Sequence, residues 1–334
     1  MSRGDQNSEI NSRSLIVIVL DMTPAWWGLC GNEDMSLPNC IEAVLGFANV
    51  HQMFSPFNEL AILGVTPETT RFLWPVSTSR LKSQVEAPHD GQQYQLGCMN
   101  DAVRQQALEL INSSSSCATN VILSGAVLKG LCYYLRRCRE LQPTRNNTDE
   151  EQLSFIEHIE CSDATDKISA RILVIKAADD NPSQYLSLMN AVFTAQKLHV
   201  PIDTCVLPLF RPSEPSIALD GNTYNKQIRH SSLFHQATDL TGGIYLHIPG
   251  RKGLLQYLLS VFLPSPALRP KLLLPDIRSS DLNPGVDFRA ACFCHRRLID
   301  IGYVCSVCLS VFCEFTPLCA TCGSPFAVPT VQTQ

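Results

Sequence analysis

Ser14-Leu15-Ile16-Val17-Ile18-Val19-Leu20-Asp21 is the stretch from which the architecture of this chain can be read. Leu15 to Leu20 are all large and apolar, with β-branched residues at every second position or closer, and no polar residue interrupts them. A strand with one wet face would alternate, so this run reads as a central strand covered on both faces. It is about a third of the length of a membrane span and stops at an acid, and the polar residues 1–13 before it form a tail without the pattern of a secretory signal.

Working outward, helical spacing is expected over 38–54, where Ile41, Val44, Leu45 and Ala48 recur three and four apart, followed by a strand over 59–65 and a hairpin partner over 71–74. Helices are expected over 102–111 and 120–139. Strands at 171–176, 201–206 and 243–247 then alternate with helices at 183–198, 232–240 and 253–263. The sum is an α/β fold, a doubly wound and mostly parallel six-stranded sheet over residues 14–263, with polar loops near 141–167 and 207–232. A proline-rich linker, 264–287, leads to a cysteine-rich module at 288–323 and a C-terminal tail at 324–334. The helix at 253–263 is apolar nearly all round, so it is covered on more than one side, by the sheet and linker or by a partner.

The chain has 334 residues, 45% hydrophobic, with a net charge of −5. That length suits a full core plus a satellite module. The acidic balance argues against gripping phosphate backbones. No glycine-rich phosphate loop follows the first strand, and no G-x-S-x-G elbow occurs, so nucleotide binding and serine hydrolase chemistry lack their motifs.

Seven of the fifteen cysteines lie between Ala291 and Gly323. Cys305-x2-Cys308 and Cys319-x2-Cys322 are two thiolate hooks at the spacing of a structural zinc site, with no position left open for water or substrate. Cys292, Cys294, His295 and Cys313 form a less regular set. They hold a second zinc if the hooks interleave as a cross-brace, and are otherwise free cysteines beside a surface histidine. Near them Arg289, Arg296 and Arg297 are opposed by Asp300 and Glu314, whereas Tyr303, Val304, Val307, Leu309, Val311, Phe312 and Phe315 are numerous. Such a module is expected to touch protein rather than DNA, with Phe312 and Phe315 as contact candidates. The remaining cysteines are scattered and read as free thiols.

Function in an open α/β sheet collects at the carboxyl ends of the strands. Asp21 and Asp179 fall there, and this placement resembles a von Willebrand A-like domain. Cation-binding members of that class end their first strand D-x-S-x-S. The matching positions here are Asp21, Thr23 and Ala25, and Ala25 offers no ligand oxygen, so the Asp21/Thr23/Asp179 site is expected to be degenerate and empty. Trp26 and Trp27 follow directly, either as a partner contact or as packing that closes the loop.

Longer phrases narrow the resemblance. Residues 292–313 (C-F-C-H-R-x-L-I-x-I-G-Y-V-C-S-V-C-L-S-x-F-C), Arg171 to Asp180 (R-I-L-V-I-K-A-A-x-D), Thr241 to Leu246 (T-G-G-x-Y-L) and Leu254 to Pro264 (L-L-Q-Y-L-L-x-V-F-L-P) are similar to one family. It is the von Willebrand A-like, zinc-bearing small core subunit of the transcription and DNA-repair factor TFIIH, and the likeness runs from Leu15 to Cys322. The resemblance implies a non-enzymatic nuclear scaffold that acts in transcription initiation and nucleotide excision repair. Its implied partners are other TFIIH core subunits, above all the one carrying its own von Willebrand A-like domain and RING-like module, with no membrane and no small-molecule substrate. Two other classes stay open: a cation-dependent ligand-binding protein using Asp21, Thr23 and Asp179, and a DNA-binding zinc protein.

Overall fold

The computed structural model describes residues 13–29, 36–76, 91–114, 121–141, 168–208, 231–248, 252–266, 268–272, 286, 288–295 and 298–326. Residues 1–12, 142–167, 209–230, 273–285 and 327–334, which hold most of the expected tails, polar loops and linker, lie outside the described residues.

The run that opens the reading is strand β1 (Arg13–Asp21), and it occupies the middle of a six-stranded sheet. β2 (Glu59–Val65) lies beside it in parallel, and β3 (Thr70–Trp74) turns back antiparallel to form one edge. On the other side β4 (Ile168–Lys176), β5 (Ile202–Val206) and β6 (Tyr245–His247) follow in parallel, giving the order β3-β2-β1-β4-β5-β6. Leu15, Ile16, Ile18 and Val19 are wholly buried because helices cover both faces, which is why the sequence could dispense with alternation.

The helices are α1 (Pro24–Leu29), α2 (Leu37–Phe54), α3 (Gly91–Ser113), α4 (Leu123–Leu141), α5 (Tyr185–Lys197), α6 (Ser232–Thr241) and α7 (Leu254–Tyr257). The side chain of Ser36 caps α2 by accepting from the Asn39 amide, and Pro38 occupies the first turn, where a missing N–H costs nothing. Three outcomes depart from expectation. The first is α1, a short helix where the sequence reads as loop. The second is α3, which begins eleven residues before the expected 102; Leu96, Met99, Val103, Ala107 and Leu110 form its buried stripe, but Gly97 and the polar residues around it hide that period. The third is α7, expected as one regular helix over 253–263, which widens into a π turn at Leu258–Phe262. Part of the apolar surface of that segment is covered from inside the chain. Leu254, Leu258, Val261 and Phe262 are buried, while Leu255, which a Cβ on Gly46 of α2 would approach within 3.2 Å, stays exposed.

The T-G-G phrase has a steric reason. A Cβ on Gly243 would stand 1.9 Å from the Ile202 carbonyl oxygen, so only glycine lets the chain pass from α6 into β6 against β5.

The described residues between 288 and 326 have their own small apolar cluster of Cys305, Phe312 and Cys319, with Phe293 and Phe326 against it. The only paired strands among its described residues are β7 (Tyr303–Val304) and β8 (Val311–Phe312). The module runs past the expected end at 323. Phe326 donates its amide to Pro317 and packs on Phe312 and Phe315 at ring distances of 6.0 Å.

Candidate metal centres

At the carboxyl edge of the sheet, Asp21 is completely buried, and its two oxygens are fully employed. Oδ1 accepts from the Thr23 amide at 3.1 Å and the Thr23 hydroxyl at 2.5 Å, while Oδ2 accepts from the amides of Ala177 and Ala178 at 3.1 and 2.7 Å. A carboxylate offers about four lone-pair positions, and protein donors take that many here. The hydroxyl that would turn toward a cation instead closes on Asp21, and Asp179 is exposed. Asp21 therefore ties the end of β1 to the loop after β4.

Two residues that sequence reasoning passed over complete this edge. Lys176 is buried at the end of β4, where its ammonium lies 3.1 Å from Asp180 Oδ1 and donates to the Ala178 carbonyl. Asp180 in turn accepts from the Ser231 hydroxyl at 2.7 Å and the Leu233 amide at 3.2 Å, holding the amino end of α6. The Lys176 side chain thus joins the loop after β4 to the anchor of α6. The signal in the sequence was a lysine closing the apolar run Ile172 to Ile175.

Of the two readings for the tryptophans, packing describes Trp26. Trp26 is 5% exposed and belongs to the main core, so it has no surface with which to meet a partner. Trp27 packs against that core, stands edge-on to Trp26 with ring centres 4.7 Å apart, and donates its indole N–H to the Asp21 carbonyl. The α1 turn accounts for both: adjacent residues on a helix point about 100° apart, which lets one ring go inward and the other lie across the loop.

In the C-terminal module the structure assembles both cysteine sets. The ligand atoms of Cys305, Cys308, Cys319 and Cys322 all lie within 4.8 Å of one another, with Sγ–Sγ distances of 3.6 Å for Cys305–Cys322 and 3.5 Å for Cys308–Cys319. Tetrahedral thiolates at a zinc–sulfur length of about 2.3 Å would be about 3.8 Å apart, so the donors match that cage closely. Cys292, Cys294, His295 and Cys313 also gather within 4.8 Å, with Cys294 Sγ 3.3 Å and His295 Nδ1 3.1 Å from Cys313 Sγ. Cys292, Cys294 and His295 supply three donors from one loop, and Cys313 brings the fourth. That loop is fixed by the Phe293 amide on the Val311 carbonyl and by an Ala291–Leu298 bridge, and β8 delivers Cys313. The two sets alternate along the chain, and each could hold a metal ion.

The hooks are built to one plan that spacing alone did not reveal. In Cys305-x2-Cys308-Leu309-Ser310, the Leu309 amide donates to the Cys305 carbonyl and the Cys305 amide to the Ser310 carbonyl. In Cys319-x2-Cys322-Gly323-Ser324, Gly323 and Cys319 make the same two bonds to Cys319 and Ser324. Leu309 and Gly323 both take the left-handed conformation, at φ of 59° and 72°. The hydroxyls of Ser310 and Ser324 each lie 3.2 Å from the second sulfur of their hook. Hydrogen bonding by Ser324 brings the Cys322 thiol down to about 6, and Ser310 lowers that of Cys308, so both favour the thiolate that binds metal. The repeated C-x2-C-x-S was the available clue.

Of the contact candidates in this module, Phe312 is 2% exposed and forms the centre of its core, which removes it from any surface role. Phe315 remains exposed, as do Ile301, Tyr303, Val304, Val307, Leu309 and Leu318. No helix among the described residues is long and apolar enough to cross a membrane.

Comparison with known proteins fits this arrangement. A family model described as Transcription factor Tfb4 matches residues 13–323. The chain is similar to the general transcription and DNA repair factor IIH subunit tfb4 of Schizosaccharomyces pombe, at 30% identity covering 94% of this chain and 89% of the relative. It is 29% identical to the TFB4 subunit of Arabidopsis thaliana, with the same coverage of each chain. Among solved structures, the TFIIH p34 N-terminal domain shares the fold with a TM-score of 0.54 at 23% identity, covering 75% of this chain and 98% of that domain. A match that begins at β1 and ends one residue after the last cysteine takes in both the sheet and the paired cysteine clusters, and on that extent the chain belongs to the Tfb4 family.

Proposed function

We propose that this chain is a non-catalytic structural subunit of the TFIIH core, acting through protein contacts in RNA polymerase II transcription initiation and nucleotide excision repair in the nucleus. The observation that carries this reading is the family match across residues 13–323, whose relatives are named as TFIIH subunits. The chemistry of the chain supports it. Asp21 gives its lone pairs to protein donors, and each cysteine cluster presents four protein ligands, which closes a tetrahedral ion to substrate.

Zinc is the proposed ion in both clusters, because four thiolates, or three with an imidazole, suit a borderline-soft ion without geometric demands. Its role is to hold together a module whose apolar core is too small to fold alone. The exposed apolar residues from Ile301 to Leu318 are proposed to meet another TFIIH subunit, the RING-like von Willebrand A-containing one being the partner implied by resemblance. Affinity purification of the tagged chain from its own cells, followed by mass spectrometry, tests the reading. Recovery with the other TFIIH core subunits is expected, and a chain recovered only as a free monomer would overturn it.

A further inference from the structure

The residues expected to begin the linker do not leave the sheet. Arg171 on β4 and Asp203 on β5 lie on the same face, because Asp203 pairs with Leu173 and residues two apart on a strand share a side. They are 4% and 1% exposed, and both reach the segment 263–272. Arg171 donates to the carbonyls of Pro264 and Leu263 at 2.6 and 2.8 Å. Arg269, itself 8% exposed, returns from the segment to grip Asp203 with both terminal guanidinium nitrogens, one at 2.8 Å, and its Nε lies 3.4 Å from the same Pro264 carbonyl. Asp203 also accepts from the Ile244 amide at 2.9 Å, so it binds strand β6 and the segment together.

Charge explains why this closure holds. Two guanidinium groups share one carboxylate in a buried place, and the excess positive charge needs other acceptors. The carbonyls of Leu263 and Pro264, at the negative end of α7 and its π turn, supply them. A release of 263–272 would therefore leave Arg171 buried without its acceptors and Asp203 without its bidentate partner. The segment is held by chemistry that a passive linker would not carry.

We infer that Arg171, Asp203 and Arg269 form a latch that extends the sheet domain to Leu272 and sets the point from which the chain departs toward the C-terminal metal module. A partner touching both parts would then meet the module's tether with its origin already placed, which lowers the ordering cost of a two-point contact. This goes beyond membership of TFIIH and does not depend on it.

Hydrogen exchange on the isolated full-length chain tests the latch. In Arg269→Met and in Asp203→Asn, whose amide oxygen can still accept from the Ile244 N–H, the amides of Leu268, Arg269, Lys271 and Leu272 should exchange at least tenfold faster. Those of β1 and β4 should keep their protection, and endoproteinase cleavage after Lys271 should accelerate in parallel. The double variant, which removes the Asp203–Arg269 pair together and leaves Arg171 on the carbonyls of Leu263 and Pro264, should remain as unlatched as either single variant. Unchanged exchange at 268–272 in all three would overturn the inference. So would loss of protection in the singles that the double variant restores, since that pattern reports buried charge and not a latch. If either single variant fails to fold, the double variant read against the parent chain decides.

Discussion

His51 shows how one buried side chain sets a property that no motif announces. It lies inside α2 at 3% exposure, with Nε2 3.3 Å from the Glu59 carbonyl, and its backbone carbonyl accepts from Asn58. Burial, reinforced by the Arg171 guanidinium, pulls its pKa down to about 4. An unfolded histidine takes its proton near 6.5, so between about 6.5 and 4 the unfolded state binds a proton that the folded state refuses. Stability contributed by the neutral ring is present at pH 7 and is lost as pH falls through that window, by about 3 kcal/mol in full. Urea unfolding of the parent and His51→Gln at a series of pH values should give curves that diverge above about pH 4 and run parallel above about pH 7. Curves parallel throughout would show that His51 carries no such linkage. At the same scale, Asp21 was legible as an end-of-strand acid, but its four protein donors come from Thr23 and from two amides more than 150 residues away. Only Thr23 could be read locally.

Among the elements, the two cysteine hooks are a natural comparison because they share a backbone and differ at the left-handed position. Leu309 bears the left-handed penalty of a side chain with a Cβ, while Gly323 avoids it. Leu309→Gly should leave the hook stable or improve it by up to about 1 kcal/mol, and Gly323→Leu should weaken it by about 1–2 kcal/mol. Competition with a chromogenic zinc chelator measures both, and equal effects of the two substitutions would mean that backbone strain does not govern the hooks. Strand and helix positions were largely legible, because burial on one or two faces prints a period into the residues. The exceptions have physical causes. Gly97 and its polar neighbours mask the period of α3, and Pro24 begins a turn of helix that local composition describes equally well as loop.

For the whole molecule, the two clusters and the sheet have separate cores, so metal removal should act on one and spare the other. Native mass spectrometry should count two zinc ions per chain, with Cys308→Ser removing one and His295→Ala the other. Chelation should abolish protease resistance in 288–326 while exchange protection in β1 and β4 persists. One zinc at saturation would eliminate the second site, and a module that stays resistant without metal would eliminate the structural role of both.

What the sequence determined by itself was the periodic part of the protein: a doubly covered central strand, the βα alternation, and two regular thiolate hooks. Each of these is written in neighbours within a few residues, where spacing translates directly into a face or a cage. Tertiary structure alone decided that Trp26 and Phe312 turn inward, that Asp21 and Lys176 are held by partners in the chain, and that Cys313 joins a loop formed some twenty residues earlier. It also decided that Arg269 returns to the sheet, through a carboxylate on β5 that pairs with this arginine 66 positions later. Burial and charge pairing are properties of what arrives from elsewhere in the chain, and no local pattern records an arrival.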